Sequence, residues 1–225
     1  MHSLLRGAEE AEGAVVIIDV YRAFTTAAVA FARGAERIML VPDVAEALAL
    51  RERGVGELCV GEVHGAMPEG FDLNNSPYDL SRADVRGRRL ILSTRAGTVG
   101  VASAVRAERL YAGALVTASA TAEVIRRAAP QRVTLVAMGW EGKVRSDEDE
   151  LCALYLRNLL EGRQPDLDAV RRLVLAGGES RKFDDPAQPH FRPEDRDIAL
   201  QINRFDFAIE VIRHGEHLVA APVRL

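Results

Sequence analysis

The sequence predicts an α/β protein built from two similar strand–helix subdomains, with layered, largely parallel sheets and helices on both faces. Short apolar runs of Val, Ile and Leu alternate with helical segments along the chain, which is typical of helices that connect parallel strands. The runs are apolar at almost every position, as expected for strands that are covered on both faces. In addition, one strand-to-helix pattern occurs twice, which indicates an internal duplication.

In the first half, turn-forming residues mark where the helices begin and end. Gly34 ends an alanine-rich helix, and Pro42-Asp43 precedes a second helix. The predicted elements are a strand at 15–20, a helix at 25–34, a strand at 37–41, a helix at 44–53 and a strand at 58–62.

The second half repeats this order and then departs from it. Its predicted elements are a strand at 90–93, a helix at 98–107, a strand at 109–111, a helix at 120–128 and a strand at 133–138. Ser146 and Asp149 are spaced as an acidic capping box for a further helix that runs through Leu160. A polar loop at 177–193 and a short helix around Ile198 and Ile202 follow, and the segment 207–223 is predicted as a hairpin, with a helix as the alternative.

Composition places the chain among globular proteins and excludes several classes. With 225 residues, 48% hydrophobic, it is long enough for one substantial core or two small intertwined ones. We therefore predict a single domain at 1–225, with the repeat at about 14–80 and 88–160 and a C-terminal extension at 161–225. The net charge of −4 argues against a nucleic-acid partner. Cys59 and Cys152 lack the spacing of a disulfide scaffold or a zinc site.

The N-terminal segment lacks the features of a targeting signal. Residues 1–7 are followed by Glu9, Glu10 and Glu12, so the apolar core of a signal peptide is missing. The uncharged apolar runs are too short to span a bilayer. We expect a cytoplasmic protein with no membrane partner, and the sequence leaves a homo-oligomer possible.

The duplicated pattern predicts a paired anion-binding site. In both copies an apolar strand leads into arginine, alanine and, three residues after the arginine, threonine. A helix that begins directly after a strand presents free N–H groups, and the arginine adds a forked donor. The alternative is two ordinary helix starts, because Thr is a common N-cap residue and Ala favours helix. The candidate substrate-binding residues are Arg22, Thr25, Thr26, Arg95, Gly97 and Thr98.

Carboxylates follow several of the predicted strands and indicate a magnesium site. Asp19, Glu62 and Glu141 come directly after strands, and Asp72 and Asp149 lie in the loops. Ligands bind at strand ends in such sheets, and carboxylate oxygens are suited to Mg²⁺. The alternative for each residue is a helix cap or a partner for a nearby arginine.

Two further residues have a functional and a structural interpretation. His64, in a glycine-rich loop, is either a solvated loop residue or the group that protonates a leaving alkoxide. Ser76, before Pro77, carries a hydroxyl but has no base at a recognisable spacing, so a turn is favoured.

The motifs together resemble the 2-phosphosulfolactate phosphatases, also called ComB-like phosphatases. The resemblance runs from about Val15 to the C-terminal region. It rests on Asp-x-x-Arg-Ala-x-Thr-Thr from Asp19, then Gly-Glu at Glu62, then the block 70–77 with Asn75 and Ser76, then Leu-Ile-Leu-Ser-Thr at 90–94. It implies a magnesium-dependent hydrolase of coenzyme M biosynthesis that cleaves the phosphate ester of a small anionic 2-hydroxy acid. It also adds Asn75 and Ser76 to the substrate-binding residues.

The mechanism that we expect uses Asp19, Arg22 and Glu62 as catalytic residues. Asp19 and Glu62 would hold Mg²⁺ with help from Asp72 or Asp149, while Arg22 and Arg95 hold the anionic groups. Water is the preferred nucleophile. The rival is attack by Asp19 itself, but aspartyl phosphatases of that kind carry a second Asp two residues on, where this chain has Tyr21.

Two alternatives remain open from the sequence. The chain is either a phosphatase of a different small phosphoester or a non-catalytic binder of phosphorylated metabolites. Dependence of turnover on Mg²⁺ would separate a binder from an enzyme.

Overall fold

Ten strands form one continuous sheet in the computed structural model, which describes residues 1–224. The strands are β1 (His2–Ser3), β2 (Gly13–Ile18), β3 (Arg37–Val41), β4 (Leu58–Gly61), β5 (Leu73–Asn74), β6 (Arg89–Ser93), β7 (Ala107–Gly113), β8 (Val133–Ala137), β9 (Phe207–His214) and β10 (His217–Arg224). The helices are α1 (Leu4–Glu9), α2 (Ala23–Ala32), α3 (Val44–Glu52), α4 (Pro77–Arg82), α5 (Gly97–Ser103), α6 (Ala118–Ala128), α7 (Asp147–Leu160), α8 (Leu167–Ala176) and α9 (Pro193–Ala199). Two short 3-10 segments, Leu115–Thr117 and Glu179–Asp184, complete the described secondary structure.

The strand order interleaves the two predicted repeat units, residues 14–80 and 88–160. It runs β1-β8-β2-β7-β9-β10-β3-β6-β4-β5, with parallel pairing on either side of the antiparallel β9–β10 hairpin. Strand β2 lies between β7 and β8 of the second unit, and β6 lies between β3 and β4 of the first. The α/β class is confirmed, but the units share a single sheet instead of forming separate subdomains. The duplication itself stays a prediction.

Strand β2 is apolar throughout because it is covered on both sides. All six residues of β2 are buried. Helices α2 and α5 pack in the central cluster with strands from both halves of the sheet. Helices α6 and α7 cover the opposite face of the part of the sheet that contains β2, β7 and β8. Helix α3 covers the opposite face of the part that contains β3, β4 and β6. This burial is the main driving force for folding.

Side-chain caps account for several helix boundaries. Asp43 accepts a hydrogen bond from Glu46 N at 3.1 Å and starts α3. Ser76 accepts one from Asp79 N at 3.1 Å and starts α4, so the predicted turn is also a helix start. Ser146 precedes α7 but makes no side-chain capping bond, and the predicted capping box is wrong because the Asp149 carboxylate binds elsewhere.

The boundaries of other elements differ moderately from the sequence prediction. The helix predicted at 98–107 ends at Ser103, and α1, α4 and α8 were not predicted. The terminal hairpin is confirmed as β9 and β10, with its turn after His214. Within residues 1–224, the helices include none that is long and apolar enough to cross a membrane.

Candidate active site

Asp19 lies where the two helix starts of the predicted anion-binding site meet. It follows β2, is 5% exposed, and accepts hydrogen bonds from Ala23 N at 3.0 Å and from Gly97 N at 2.8 Å. These two donors belong to the first residues of α2 and α5. The sequence therefore brings both helix starts to one point as expected, but their N–H groups hold the Asp19 carboxylate.

Gly97 allows the two helix starts to approach. A Cβ atom at this position would lie 2.8 Å from Asp19 Oδ2 and 3.0 Å from both Ala23 Cβ and Phe24 Cζ. No side chain fits there without displacing Asp19 or α2. Gly97 therefore acts through its backbone and its lack of a side chain.

Arg22 is buried and its guanidinium is already engaged. Nη1 donates to Asp195 Oδ2 and to the His190 carbonyl, both at 2.8 Å, and Nη2 donates to the Gly65 carbonyl at 3.0 Å. The guanidinium also lies 4.7 Å from the centre of the Phe191 ring. Arg22 borders the cleft, but these bonds make it a residue that joins three chain segments.

Asp195 extends this network to the loop that precedes α4. Its Oδ1 accepts hydrogen bonds from Ser76 Oγ at 2.6 Å and from Tyr78 N at 3.0 Å. The Ser76 hydroxyl thus binds a buried carboxylate. Its predicted contact with substrate is replaced by a structural role.

Glu62 and Arg95 stand beside Asp19. The Glu62 carboxylate accepts from Arg95 N and from Gly65 N, both at 2.8 Å. The Arg95 side chain is exposed, and within residues 1–224 its guanidinium pairs with no carboxylate. Arg95 therefore presents a free cation next to two carboxylates.

These residues line an open cleft. Both units and the C-terminal extension contribute to it. Of the candidate residues from the sequence, six line the cleft together: Asp19, Arg22, Glu62, Asn75, Arg95 and Glu141. The other lining residues are Tyr21, Ala96, Gly139, Trp140, Glu148, Glu179, Lys182 and Phe191.

Burial perturbs the carboxyl groups of this region. It raises the pKa of Asp19 to about 6, and the negative charge of Glu62 adds to the effect. It raises the pKa of Glu148 to about 7, although the positive charge of Lys182 opposes this. It also raises the pKa of Asp149 well above its usual range. Such shifts are common at functional sites.

Two of the four predicted metal ligands lie outside the cleft. Asp72 pairs with Arg51 at 2.9 Å and accepts from Cys59 N at 2.7 Å. Asp149 is buried, and its carboxylate accepts from Val20 N at 2.7 Å and Gly139 N at 2.8 Å. Asp149 thus ties together the segments that follow β2 and β8, so the predicted ligand set reduces to Asp19 and Glu62.

The predicted threonines also point away from the cleft. Thr25 Oγ1 donates to the Val20 carbonyl, and Thr98 Oγ1 donates to the Thr94 carbonyl, both at 2.8 Å. Thr26 borders a small apolar cavity beneath α2. Their hydroxyl groups serve the local backbone or the core, which corrects the expectation that they bind substrate.

His64 contacts the Glu141 carboxylate. The loops that follow β4 and β8 meet through this contact, and 70% of the His64 side chain is exposed. His64 does not line the cleft, so its contact with Glu141 is a link between loops.

Sequence reasoning missed the contribution of the C-terminal extension. Lys182 and Phe191 reach the cleft from the segment that was predicted as a polar loop. One signal was available, because Lys143 and Lys182 are the only lysines in a chain with 29 lysine and arginine residues. The two lysines are the compact ammonium groups of the chain, and of these Lys182 lines the cleft while 69% of the Lys143 side chain is exposed.

The donor atoms of the cleft fit a hard cation. Two buried oxygen atoms at its wall, Asn75 Oδ1 and Glu148 Oε2, have no hydrogen-bond donor. Asp19 and Glu62 each use one N–H per oxygen, which leaves a lone pair on every oxygen. Within residues 1–224 no three His, Cys, Asp or Glu side chains form a preassembled metal cluster. Mg²⁺ binds commonly through one or two carboxylates, waters and substrate phosphate.

The interleaved sheet defines an α/β protein whose charged cleft lies at the strand ends, where such sheets bind their ligands. The family model of 2-phosphosulpholactate phosphatase matches residues 2–185. The chain belongs to the 2-phosphosulfolactate phosphatase family.

Relatives of the chain carry the same description. A probable 2-phosphosulfolactate phosphatase of Bacillus subtilis is 31% identical over 205 residues, which cover 89% of this chain and 88% of the relative. Proteins with that name from Synechococcus sp. (strain RCC307) and Deinococcus radiodurans are 39% and 37% identical over 175 and 161 residues. These matches cover 76% and 71% of this chain, and 69% and 67% of the relatives.

Proposed function

We propose that this chain is a magnesium-dependent phosphatase that hydrolyses 2-phosphosulfolactate to sulfolactate and phosphate. The observation that carries the proposal is the cleft in which Asp19 and Glu62 stand next to the free Arg95 side chain. Carboxylates alone would repel a phosphate ester, whereas carboxylates with a bound cation and nearby basic groups attract it. The names of the relatives support the choice of substrate.

Asp19 and Glu62 would hold the magnesium ion. A magnesium ion held there would supply Lewis-acid polarisation of the phosphoryl group. The two helix N–H groups fix the Asp19 carboxylate before substrate arrives, so little reorganisation is needed. Arg22 fixes the loops that carry Gly65 and His190 around the cleft.

The free Arg95 guanidinium suits the second anionic group of the substrate. A sulfonate or carboxylate accepts a forked pair of hydrogen bonds from arginine. Because Arg95 is exposed and precedes α5, it reaches a ligand at the mouth of the cleft. The cleft therefore favours an ester that carries an anion in addition to its phosphate.

Phosphate release from 2-phosphosulfolactate tests the proposal. The wild-type protein should release phosphate with Mg²⁺ and stop in excess chelator. Asp19→Asn should lower turnover by about two orders of magnitude or more, because it removes both a ligand and a charge. Asp72→Asn is the matched control and should stay within about threefold of wild type, since Asp72 lies outside the cleft.

Full activity in excess chelator would exclude the magnesium mechanism. Hydrolysis of other phosphorylated C3 acids, but not of phosphosulfolactate, would support a phosphatase activity with a different substrate. Absence of turnover with tight phosphoester binding would identify a non-catalytic binder instead.

A further inference from the structure

Lys182 places an ammonium group in an aromatic enclosure at the cleft. Its Nζ atom lies 4.7 Å from the centre of the Phe191 ring, 4.8 Å from that of Trp140 and 5.7 Å from that of Phe183. Only 10% of the side chain is exposed. Aromatic faces stabilise a cation while keeping water away from it. The charge of Lys182 is therefore poorly screened by solvent.

The ammonium group retains hydrogen-bonding capacity. Within residues 1–224 its hydrogen-bond acceptor is Glu179 Oε2, at 2.8 Å. An ammonium group has three donors, so two remain for another acceptor. The positive charge of Lys182 also lowers the pKa values of Asp19 and Glu148 relative to what burial alone gives. Lys182 thus acts electrostatically on the proposed catalytic carboxylate.

The other two cations of the cleft are differently placed. Arg22 is buried, but it is committed to Asp195 and to two carbonyl groups. Arg95 is free but exposed, so water and salt weaken its attraction for an anion. Lys182 alone among these three combines enclosure with unused donors.

We propose that Lys182 binds the phosphoryl oxygens of the substrate, while Arg95 binds the second anion at the mouth of the cleft. A phosphate oxygen takes up the donors that Glu179 leaves free, and the poorly solvated surroundings strengthen this contact. The inference rests on the proposed function for the identity of the substrate. The binding of a phosphate group by Lys182 is testable without turnover.

Calorimetric titration with inorganic phosphate, with Mg²⁺ present, tests the assignment. Lys182→Met keeps an unbranched apolar chain between the rings and removes the charge, so phosphate affinity should fall about tenfold or more. Glu179→Gln removes the competing negative charge and should strengthen phosphate binding. The matched control is Arg181→Met, which removes the exposed cation next to Lys182 in the sequence, and phosphate affinity should stay within about twofold of wild type.

Opposite effects at Lys182 and Glu179, with unchanged unfolding temperatures, are the expected result. A merely structural lysine would give no such opposition. Equal affinity of Lys182→Met and wild type for phosphate would overturn the assignment, and so would a wild-type protein that does not bind phosphate. If Lys182→Met is unstable, the Glu179→Gln variant decides. Phosphate binding by Glu179→Gln that is unchanged or weaker than that of wild type also contradicts the assignment of Lys182.

The phosphate titration also separates this inference from the proposed function. A protein that binds phosphate through Lys182 but does not hydrolyse 2-phosphosulfolactate would retain the inference and reject the substrate. If the Lys182→Met variant hydrolyses the ester as well as wild type does, the proposed function is retained and the role of Lys182 is rejected.

Discussion

Asp19 combines burial, two helix N–H donors and a raised pKa in one side chain. The carboxyl group titrates near 3.8 when it is unperturbed and near 6 in the folded protein. Between these pH values the folded state binds more protons than the unfolded state. The free energy of unfolding therefore falls as pH rises through this range, and it stays low above it.

This linkage gives a prediction for the metal-free protein. In excess chelator, wild type should lose on the order of 3 kcal/mol through Asp19 between about pH 4 and pH 6. Asp19→Asn should show a shallower decrease, while the part due to Glu148 and Asp149 remains because their pKa values are also raised. Urea unfolding at a series of pH values measures both slopes. Identical slopes in the two proteins would contradict the role of Asp19.

Arg22 and Asp195 form a buried ion pair whose members are 1% and 0% exposed. Removal of one partner leaves an uncompensated buried charge, so Arg22→Met should lower the free energy of unfolding by about 3–5 kcal/mol. The double variant Arg22→Met, Asp195→Leu should recover part of this loss, because no buried charge is then left unpaired.

Chemical denaturation of the single and double variants checks this prediction. The control is Arg6→Met, in an exposed pair with Glu10, which should change stability by no more than about 1 kcal/mol. A double variant less stable than both single variants would show that other bonds of the Arg22 network dominate.

At the scale of elements, the contact between α2 and α5 depends on Gly97. Gly97→Ala should cost about 1–3 kcal/mol of stability, because its Cβ meets Asp19, Ala23 and Phe24. It should also lower phosphatase turnover, since displacement of Asp19 disturbs the proposed catalytic carboxylate. Thermal unfolding and phosphate release measure the two effects.

Gly178→Ala is the control for the Gly97 substitution. The nearest heavy atom to a Cβ at Gly178 is Asp147 Oδ2 at 3.7 Å, and its φ of −62° suits any residue. It should leave both stability and turnover nearly unchanged. Equal behaviour of the two alanine variants would mean that α2 and α5 separate without cost.

At the scale of the whole molecule, the interleaved sheet places the cleft between the two units. The first unit supplies Asp19 and Glu62, the second supplies Arg95 and Glu141, and the extension supplies Lys182. Exchange of β2 and β6 between the halves brings the starts of α2 and α5 together. Both helix starts therefore belong to one composite cleft, in which their N–H groups hold the Asp19 carboxylate.

This composite cleft gives a prediction about selectivity. A phosphorylated 2-hydroxy acid should exceed a simple alkyl phosphate in kcat/KM by about tenfold, because only the acid offers a second anion to Arg95. The factor is modest because Arg95 is exposed. Arg95→Ala should remove most of the difference by raising KM for the acid alone. If both esters are slowed alike, Arg95 does not bind the second anion.

The sequence by itself determined the α/β class, most elements, and the pairing of two helix starts with Asp19, Glu62 and Arg95. These features depend on local chemistry: apolar runs, helix caps and residues that directly follow strands. The same local reasoning predicted the terminal hairpin. It also favoured one family, to which the chain belongs.

Only the tertiary structure decided how these residues are used. Asp72 and Arg22 have local patterns suited to a site, but Arg51 and Asp195, distant in sequence, take up their charges. Lys182 has no motif around it, and it reaches the cleft because the extension folds against both units. A side chain's role depends on which partners the fold brings within a few ångströms, and long-range packing sets those partners.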